Sequence, residues 1–397
     1  MINVCAHTIF VYAHIINVQK DTFLEADPVN VMTKKAIRIK DIAKTAGVSV
    51  GTVDRVLHNR GKVSEKALKK VSAALNKSEY RPNLIARTLG SNKEYKIIVL
   101  LPNHEQDPYW ALVYKGIVQS KHEWSHYGVH ISTYGFDLEQ KNSFVEVSRK
   151  VIKAKPDGIL VAPIFYNETL PFFEIIQKKG IPFTLFNTNI TESNALSFIG
   201  QDLYQSGRVA AELLCIGQSG TATFGVLHVD EDLDDSVHLL QKEKGFRDYV
   251  NEFYPVKSSI ESLNRTSSSD FSFKKKLATL LNKPDLKGIF VSTSRGAETA
   301  ASFLKSHGKN GIRLVGYDLL SKNIEYLELG IIDFLIHQKP EQQAFEGISC
   351  LANHLIFKKE IKPINLFPLE VITRQNLASY LADHIEYHPN EFKSISN

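Results

Sequence analysis

The residues whose types and spacing could do chemistry begin in the stretch Lys40–Arg60, KDIAKTAGVSVGTVDRVLHNR. The chemistry would be recognition rather than bond-making. Val50, Gly51, Thr52 and Arg55 face away from the apolar positions Val53, Val56 and Leu57, so a short helix would present one arginine among small side chains. Such a face fits the floor of a DNA major groove. Two helices must position it. Asp41–Ala46 carries a helical pattern with Ile42, Ala43 and Ala46 on one side, and Gly47 breaks it where a corner needs a left-handed backbone. Ser49 is placed to cap a second helix, Val50–Leu57, by accepting a backbone N–H.

Charge supports this reading. The chain of 397 residues has a net charge of +5, but Thr33–Lys96 alone carries 16 Lys/Arg against 5 Asp/Glu. That leaves +11 on the head and −6 on the remainder, so one module suits a phosphate backbone and the other does not. A third helix is expected over Ser64–Ser78, closing a small core around Ile42, Val53, Leu57, Leu68 and Val71. Asn83–Leu89 is a weakly helical piece stopped by Gly90. Seven residues are too few to hold a helix alone, so it should order against DNA and a partner subunit. Residues 1–31 match nothing that follows, and Met32 is expected to be the physiological start.

From Tyr95 the pattern changes to apolar runs alternating with helix-like stretches. Strands are expected at Ile97–Leu101, Gly128–Tyr134, Gly158–Ala162, Phe183–Phe186, Ala195–Ile199, Thr223–Val229, Gly288–Ser292, Arg313–Gly316 and Ile332–Ile336. Helices are expected between them, including Lys242–Phe253 and Gly296–His307. This alternation means parallel sheets covered by helices, and the number of units calls for two α/β lobes with a ligand cleft at the carboxyl ends of their strands. The three cysteines, Cys5, Cys215 and Cys350, lie far apart, giving neither a disulfide framework nor a metal motif and suiting a reducing compartment. His228, Asp230 and Asp232 form a loose cluster with no metal spacing and read as solvated loop residues. No export signal or membrane span is convincing; Ile2–Val18, the nearest to one, is interrupted by His7 and His14.

With these stretches in view the chain resembles the lactose-repressor (LacI-type) family of transcription regulators over Ile39–Asn376. KDIAKTAGVSVGTVDRVL, VSEKALKKV and YRPNLIARTL carry the likeness in the head, with Asp54 departing from the family's usual Ser. DPYW, KPDGILVAP, IGQDLYQSGRVAAELL, KGFRDYV, RLVGYD and HQKPEQQAFEG carry it in the body. The resemblance implies an α/β fold, with a three-helix head and hinge helix followed by a two-lobed body like the type I periplasmic sugar-binding proteins. The implied domains are an extension at 1–35, the helix-turn-helix at 36–82, hinge and linker at 83–94, the body at 95–376 and a tail at 377–397.

It also implies roles. Ser49, Val50, Gly51, Thr52, Arg55 and Asn59 would contact DNA, and of these Arg55 is the strong base reader, able to pair bidentately with guanine. Asn83, Ala86, Arg87 and Leu89 would enter the minor groove, with Leu89 as the wedge. In the cleft, Tyr109 and Trp110 would stack on a sugar face, Asp318 and Gln338 would bond its hydroxyls, and Asp107 and Asn187 would assist. Arg295 stands with Thr293 and Ser294 where the family has an Asn-Asp pair, which opens the site to acidic or phosphorylated ligands, and Lys242 is an approximate substitute for the family's arginine ahead of GF. The expectation is a cytoplasmic homodimer on double-stranded operator DNA, without catalysis, metal or cofactor, whose affinity a carbohydrate effector controls. The rivals are a sugar-binding transport or sensor protein without gene control, and an enzyme on the same α/β body.

Overall fold

The structure is a computed structural model that describes residues 39–57, 63–78, 93–229, 236–254, 258–265, 270–309 and 311–382, the side chains at 57, 76–78 and 270 excepted. The chain divides into two compact units after Asn83.

In the first unit, α1 (Ile39–Ala46) ends where Gly47 takes φ +61°. The N–H of Val48 then reaches Ala43 O at 3.1 Å and that of Gly47 reaches Lys44 O at 3.3 Å. These two bonds satisfy the last carbonyls of the helix, and only glycine adopts that backbone without strain. Ser49 Oγ accepts from Thr52 N at 3.1 Å and so caps α2 (Val50–Leu57), while Ser64 Oγ accepts from Ala67 N ahead of α3 (Glu65–Ser78). The core is Ile42, Ala43, Ala46, Val53, Val71 and Ala74. Leu68 does not join it as expected; it is 46% exposed. Helices of 8 residues span roughly 12 Å and α3, with 14, roughly 21 Å, so the shorter pair cannot cover all of the longer one.

The second unit holds two six-stranded sheets. Lobe 1 contains β1 (Tyr95–Pro102), α4 (Pro108–Ser125), β2 (Val129–Phe136), α5 (Lys141–Lys153), β3 (Gly158–Val161), α6 (Tyr166–Lys178), β4 (Phe183–Phe186) and β5 (Ser197–Gly200). The chain then crosses to lobe 2 for α7 (Leu203–Cys215), β6 (Ala222–Val229), α8 (Val237–Phe253), β7 (Ser258–Arg265), α9 (Asp270–Leu281), β8 (Leu286–Val291), α10 (Ser294–Ser306), β9 (Arg313–Tyr317), α11 (Ser321–Glu328) and β10 (Phe334–His337). It returns for α12 (Pro340–Phe357) and β11 (Ile364–Leu366) in lobe 1, and ends with β12 (Glu370–Ile372) and α13 (Leu377–Ala382) in lobe 2. The sheet orders are β11-β5-β4-β3-β1-β2 and β12-β10-β9-β8-β6-β7, parallel throughout except for the β10–β12 pair. Ile97 to Leu101 in β1 are fully buried because helices cover both faces.

Five elements lie outside the strands and helices expected above. β7 is an edge strand of sequence SSIESLNR, half solvated and therefore not an apolar run, yet it pairs with β6 along all eight residues. α11, β11, β12 and α13 are short, and Leu377 of α13 is buried in the lobe 2 core, so the fold continues past Asn376. α8 starts at Val237 and α10 at Ser294, five and two residues earlier than expected.

Three crossings join the lobes, and one side chain ties them together. Gln201, on the first crossing, donates Nε2 to His337 O at 2.9 Å on the second and to Pro368 O at 2.8 Å on the third. Within lobe 2, α7 and α8 touch backbone to backbone. A Cβ on Gly207 would lie 1.9 Å from Lys242 O, and one on Gly245 would lie 1.9 Å from Tyr204 O. The two glycines allow this crossing, and the crossing sets where Lys242 points.

Candidate functional site

The recognition surface of the head is α2. Val50 is 44% exposed, Gly51 and Arg55 are exposed, and Thr52 and Asp54 are half-buried. The hydroxyls of Ser49 and Thr52 lie 2.9 Å apart, so Ser49 is occupied in holding the helix end. Asn59, Asn83, Ala86, Arg87 and Leu89 lie outside the described residues.

The second candidate is the cleft between the lobes. Its cavity is narrow, ≈ 50 Å³, within an empty volume of ≈ 540 Å³ that counts the open mouth. Apart from Lys242, in the second turn of its helix, the lining residues end or follow a strand or open a helix at the carboxyl edge of the sheets, as α/β sheets place ligands. Lobe 1 contributes Asp107, Tyr109, Trp110, Leu138, Ile164 and Asn187; lobe 2 contributes Val229, His238, Lys242, Ser292 through Arg295, and Gln338.

On the lobe 1 wall Asp107 caps α4, its Oδ1 accepting from Tyr109 N at 2.8 Å and Trp110 N at 3.2 Å. That cap and Pro108 at the first helical position hold the two rings at the mouth of the helix. The rings meet edge to face at 5.1 Å, and Trp110 rests edge-on against Phe186. Asn187, in the left-handed region at φ +67°, donates Nδ2 to Tyr109 Oη at 2.7 Å.

Across the cleft Lys242 is 3% exposed. Its Nζ donates to Ser292 O at 3.0 Å, stands 3.5 Å from Gln338 Oε1, and lies 3.7 Å above the Tyr317 ring centre. Arg295 Nη1 approaches Asp107 Oδ2 at 3.4 Å, so an ion pair spans the two lobes.

A buried polar chain lies behind Ser292. His228 Nδ1 is 2.7 Å from Ser292 Oγ and its Nε2 is 2.6 Å from Glu243 Oε2. Ser262 Oγ and Arg247 Nε donate to the other Glu243 oxygen at 2.5 and 2.7 Å. Burial pushes the Glu243 carboxyl up, but the bonds from His228, Ser262 and Arg247 outweigh it and hold it at about 2. His228 is therefore no solvated loop residue: it is the penultimate residue of β6, fully buried, and needs both partners to satisfy its ring nitrogens. Asp230 and Asp232 lie outside the described residues. Among the described residues no group of three His, Cys, Asp or Glu is placed to hold a metal, and no helix is long and apolar enough to cross a membrane.

Six expected ligand residues, Asp107, Tyr109, Trp110, Asn187, Arg295 and Gln338, thus line one cleft. Asp318 does not. It is fully buried behind Ser294 and Gln338, and its oxygens face protein donors. His238 was missed because it sits one turn ahead of Lys242, in the part of α8 not read as helix; the signal available was the four-residue spacing from Lys242.

Residues 97–359 match the periplasmic binding protein domain, and residues 38–83 match bacterial regulatory proteins of the lacI family. The HTH-type transcriptional regulator MalR of Streptococcus pneumoniae is 31% identical over 180 residues, 44% of this chain; the chain spans about half, 52%, of that relative's length. The ribose operon repressor of Halalkalibacterium halodurans is 24% identical over 346 residues, 85% of this chain and 94% of that one. A crystal structure described as a LacI transcriptional regulator from Bacteroides fragilis superimposes with a TM-score of 0.68 at 32% identity, covering 72% of this chain and all of that one. The helix-turn-helix head, the two-lobed body and these matches together place the chain in the lacI family of bacterial regulatory proteins.

Proposed function

We propose that this chain is a sequence-specific transcription regulator whose grip on operator DNA is controlled by a small carbohydrate or carbohydrate derivative held between the two lobes. One observation carries the reading: a single chain holds a capped helix-turn-helix, with Val50, Gly51 and Arg55 exposed, and a cleft that sets two aromatic residues against a polar wall. The aromatic wall suits the apolar faces of a sugar ring and the polar wall its hydroxyls. A relative named for a ribose operon agrees with that chemistry. Asp107, Tyr109, Trp110, Asn187, Arg295 and Gln338 would meet the ligand, joined by Lys242 and His238.

As a cytoplasmic homodimer, two heads would read the half-sites of a pseudo-palindrome, Arg55 pairing with guanine and Leu89 opening the minor groove at the centre. Closure of the lobes on ligand would act on the three crossings, which Gln201 ties together. Binding of ligand and of DNA are then linked, each changing the other's affinity by the same factor, typically 1–3 kcal/mol or about 5- to 150-fold.

The test has two steps. A thermal-shift panel of neutral, acidic and phosphorylated sugars on the full chain finds the ligand, and fluorescence anisotropy on DNA selected from a random pool reads operator affinity with and without it. A reciprocal change is expected. A ligand that binds the cleft and leaves operator affinity untouched would refute the linkage, and a full chain that selects no DNA would refute the regulator reading.

A further inference from the structure

Two contacts join the lobes without belonging to the crossings. The first is apolar. Leu319 and Leu320 follow β9 in lobe 2 and then go separate ways: Leu319 joins the lobe 2 core, whereas Leu320 is buried in the hydrophobic cluster of lobe 1. Among the described residues it is the only one of lobe 2 in that cluster. Leu320 is 8% exposed, and its carbonyl accepts from Ile324 N at 2.9 Å at the head of α11. Its side chain is not among those lining the cleft. A leucine seated in the core of the opposite lobe loses that cover when the lobes part.

The second contact is polar. Arg295 Nη1 stands 3.4 Å from Asp107 Oδ2, with the Asp107 side chain 8% and the Arg295 side chain 44% exposed. Asp107 gives Oδ1 to the α4 cap, so Oδ2 is the oxygen turned to the other lobe. The cleft itself holds a cavity of ≈ 50 Å³. Small-molecule pockets run to ~300–1,000 Å³, so a sugar ring enters after the lobes have moved apart. Parting breaks both contacts.

We propose that Leu320 and the Arg295–Asp107 pair form a clasp that holds the lobes together without help from a ligand, and that release of this clasp gates entry to the cleft. Its regulatory meaning rests on the cleft being the effector site; the clasp itself does not. The two halves differ in strength. Burying a leucine favours the closed arrangement by about 10-fold or more, and an ion pair with one exposed partner by about 2- to 5-fold. Salt loosens the second and not the first. Arg295 and Asp107 line the cleft and Leu320 does not, so Leu320 is the cleaner handle. Alanine at 320 keeps the backbone bond that opens α11 and removes the knob.

The lobes can be watched directly. The crossings leave from β5 and β10 and run between β11 and β12, so β2 and β7 are the sheet edges farthest from them. Glu139, just past β2, and Asn264, near the end of β7, are exposed. Spin labels at Glu139→Cys and Asn264→Cys, with Cys5, Cys215 and Cys350 replaced by serine, report the width of the mouth by double electron–electron resonance on the full chain diluted with unlabelled protein.

At 50 mM salt and without sugar, wild type should show mainly one short distance. Leu320→Ala should raise the ratio of long to short distances about 10-fold, and Arg295→Gln about 2- to 5-fold, with wild type approaching Arg295→Gln at 1 M salt. A wild-type distribution that is mainly long, or a Leu320→Ala distribution that matches wild type, overturns the proposal; a wild-type distribution that ignores salt removes the ion pair from it. Stopped-flow mixing with D-ribose, D-arabinose, D-glucose, D-galactose and maltose, followed by the fluorescence of Trp110 in the cleft, reads the consequence. A sugar bound by wild type should enter and leave Leu320→Ala faster, association rising by up to about 10-fold. Association no faster than in wild type would overturn the gate. If wild type binds none of these sugars, the sugar-site reading loses support, while the distance measurement still decides the clasp.

Discussion

Replacing Glu243 by Gln tests the buried chain that backs the cleft. The carboxylate is 12% exposed and holds His228, Ser262 and Arg247. Holding it down from an ordinary 4.5 to about 2 is worth about 3 kcal/mol, at 1.36 kcal/mol per pH unit. Because the folded value is the depressed one, that stability is fully present above pH 4.5 and is lost as pH falls from there towards 2. The amide variant has no charge to lose in this window. At pH 7 it should therefore be less stable by up to about 3 kcal/mol, which for a lobe of this size is a fall of roughly 6–12 °C in melting temperature. The assay is calorimetry of both proteins at a series of pH values. The gap between the two melting temperatures should close between pH 4.5 and 2. A gap that stays constant with pH, or that is absent at pH 7, would show that the carboxylate charge is not what Ser262, Arg247 and His228 stabilise.

Two further substitutions probe the reading surface and the cleft wall. Arg55→Ala should relax preference at one base pair per half-site by about 1–3 kcal/mol, seen as a flattened position in a binding-site selection while overall affinity changes less; an unaltered selected sequence would count against Arg55 as the base reader. Gly207→Ala would bring a Cβ to 1.9 Å from Lys242 O and force α7 from α8, costing roughly 1–3 kcal/mol on the pattern of overpacked cores. The same shift should move Lys242 and weaken ligand binding, so a variant that melts and binds like wild type would show that the close crossing does not set the cleft.

Most of the architecture was legible because parallel strands buried on both faces leave continuous apolar runs, as in Ile97–Leu101, and helices leave a 3.6-residue stripe. The corner at Gly47 and the cap at Ser49 were legible for a different reason: each is a local hydrogen-bonding problem with few residue types able to solve it. Where local signals were weak the reading slipped. β7 is half solvated, and α10 opens on the polar pair Ser294-Arg295, which adds nothing to a helical apolar stripe.

The amino-acid sequence by itself determined the basic head and the alternation of strands and helices, because charge and periodicity are properties of the chain, and its resemblance to a known family implied most of the residues of the cleft. Which atom faces which was decided only by the tertiary structure. Asp318 and Gln338 are twenty residues apart and sit at the ends of neighbouring strands, yet the Gln338 amide donates to the fully buried Asp318 carboxylate. His228 changes from a loop residue to the centre of a buried relay because Ser292 and Glu243, distant in sequence, close on both its nitrogens. Hydrogen-bond polarity depends on the full set of neighbours around each group, and only the packed lobes bring that set together.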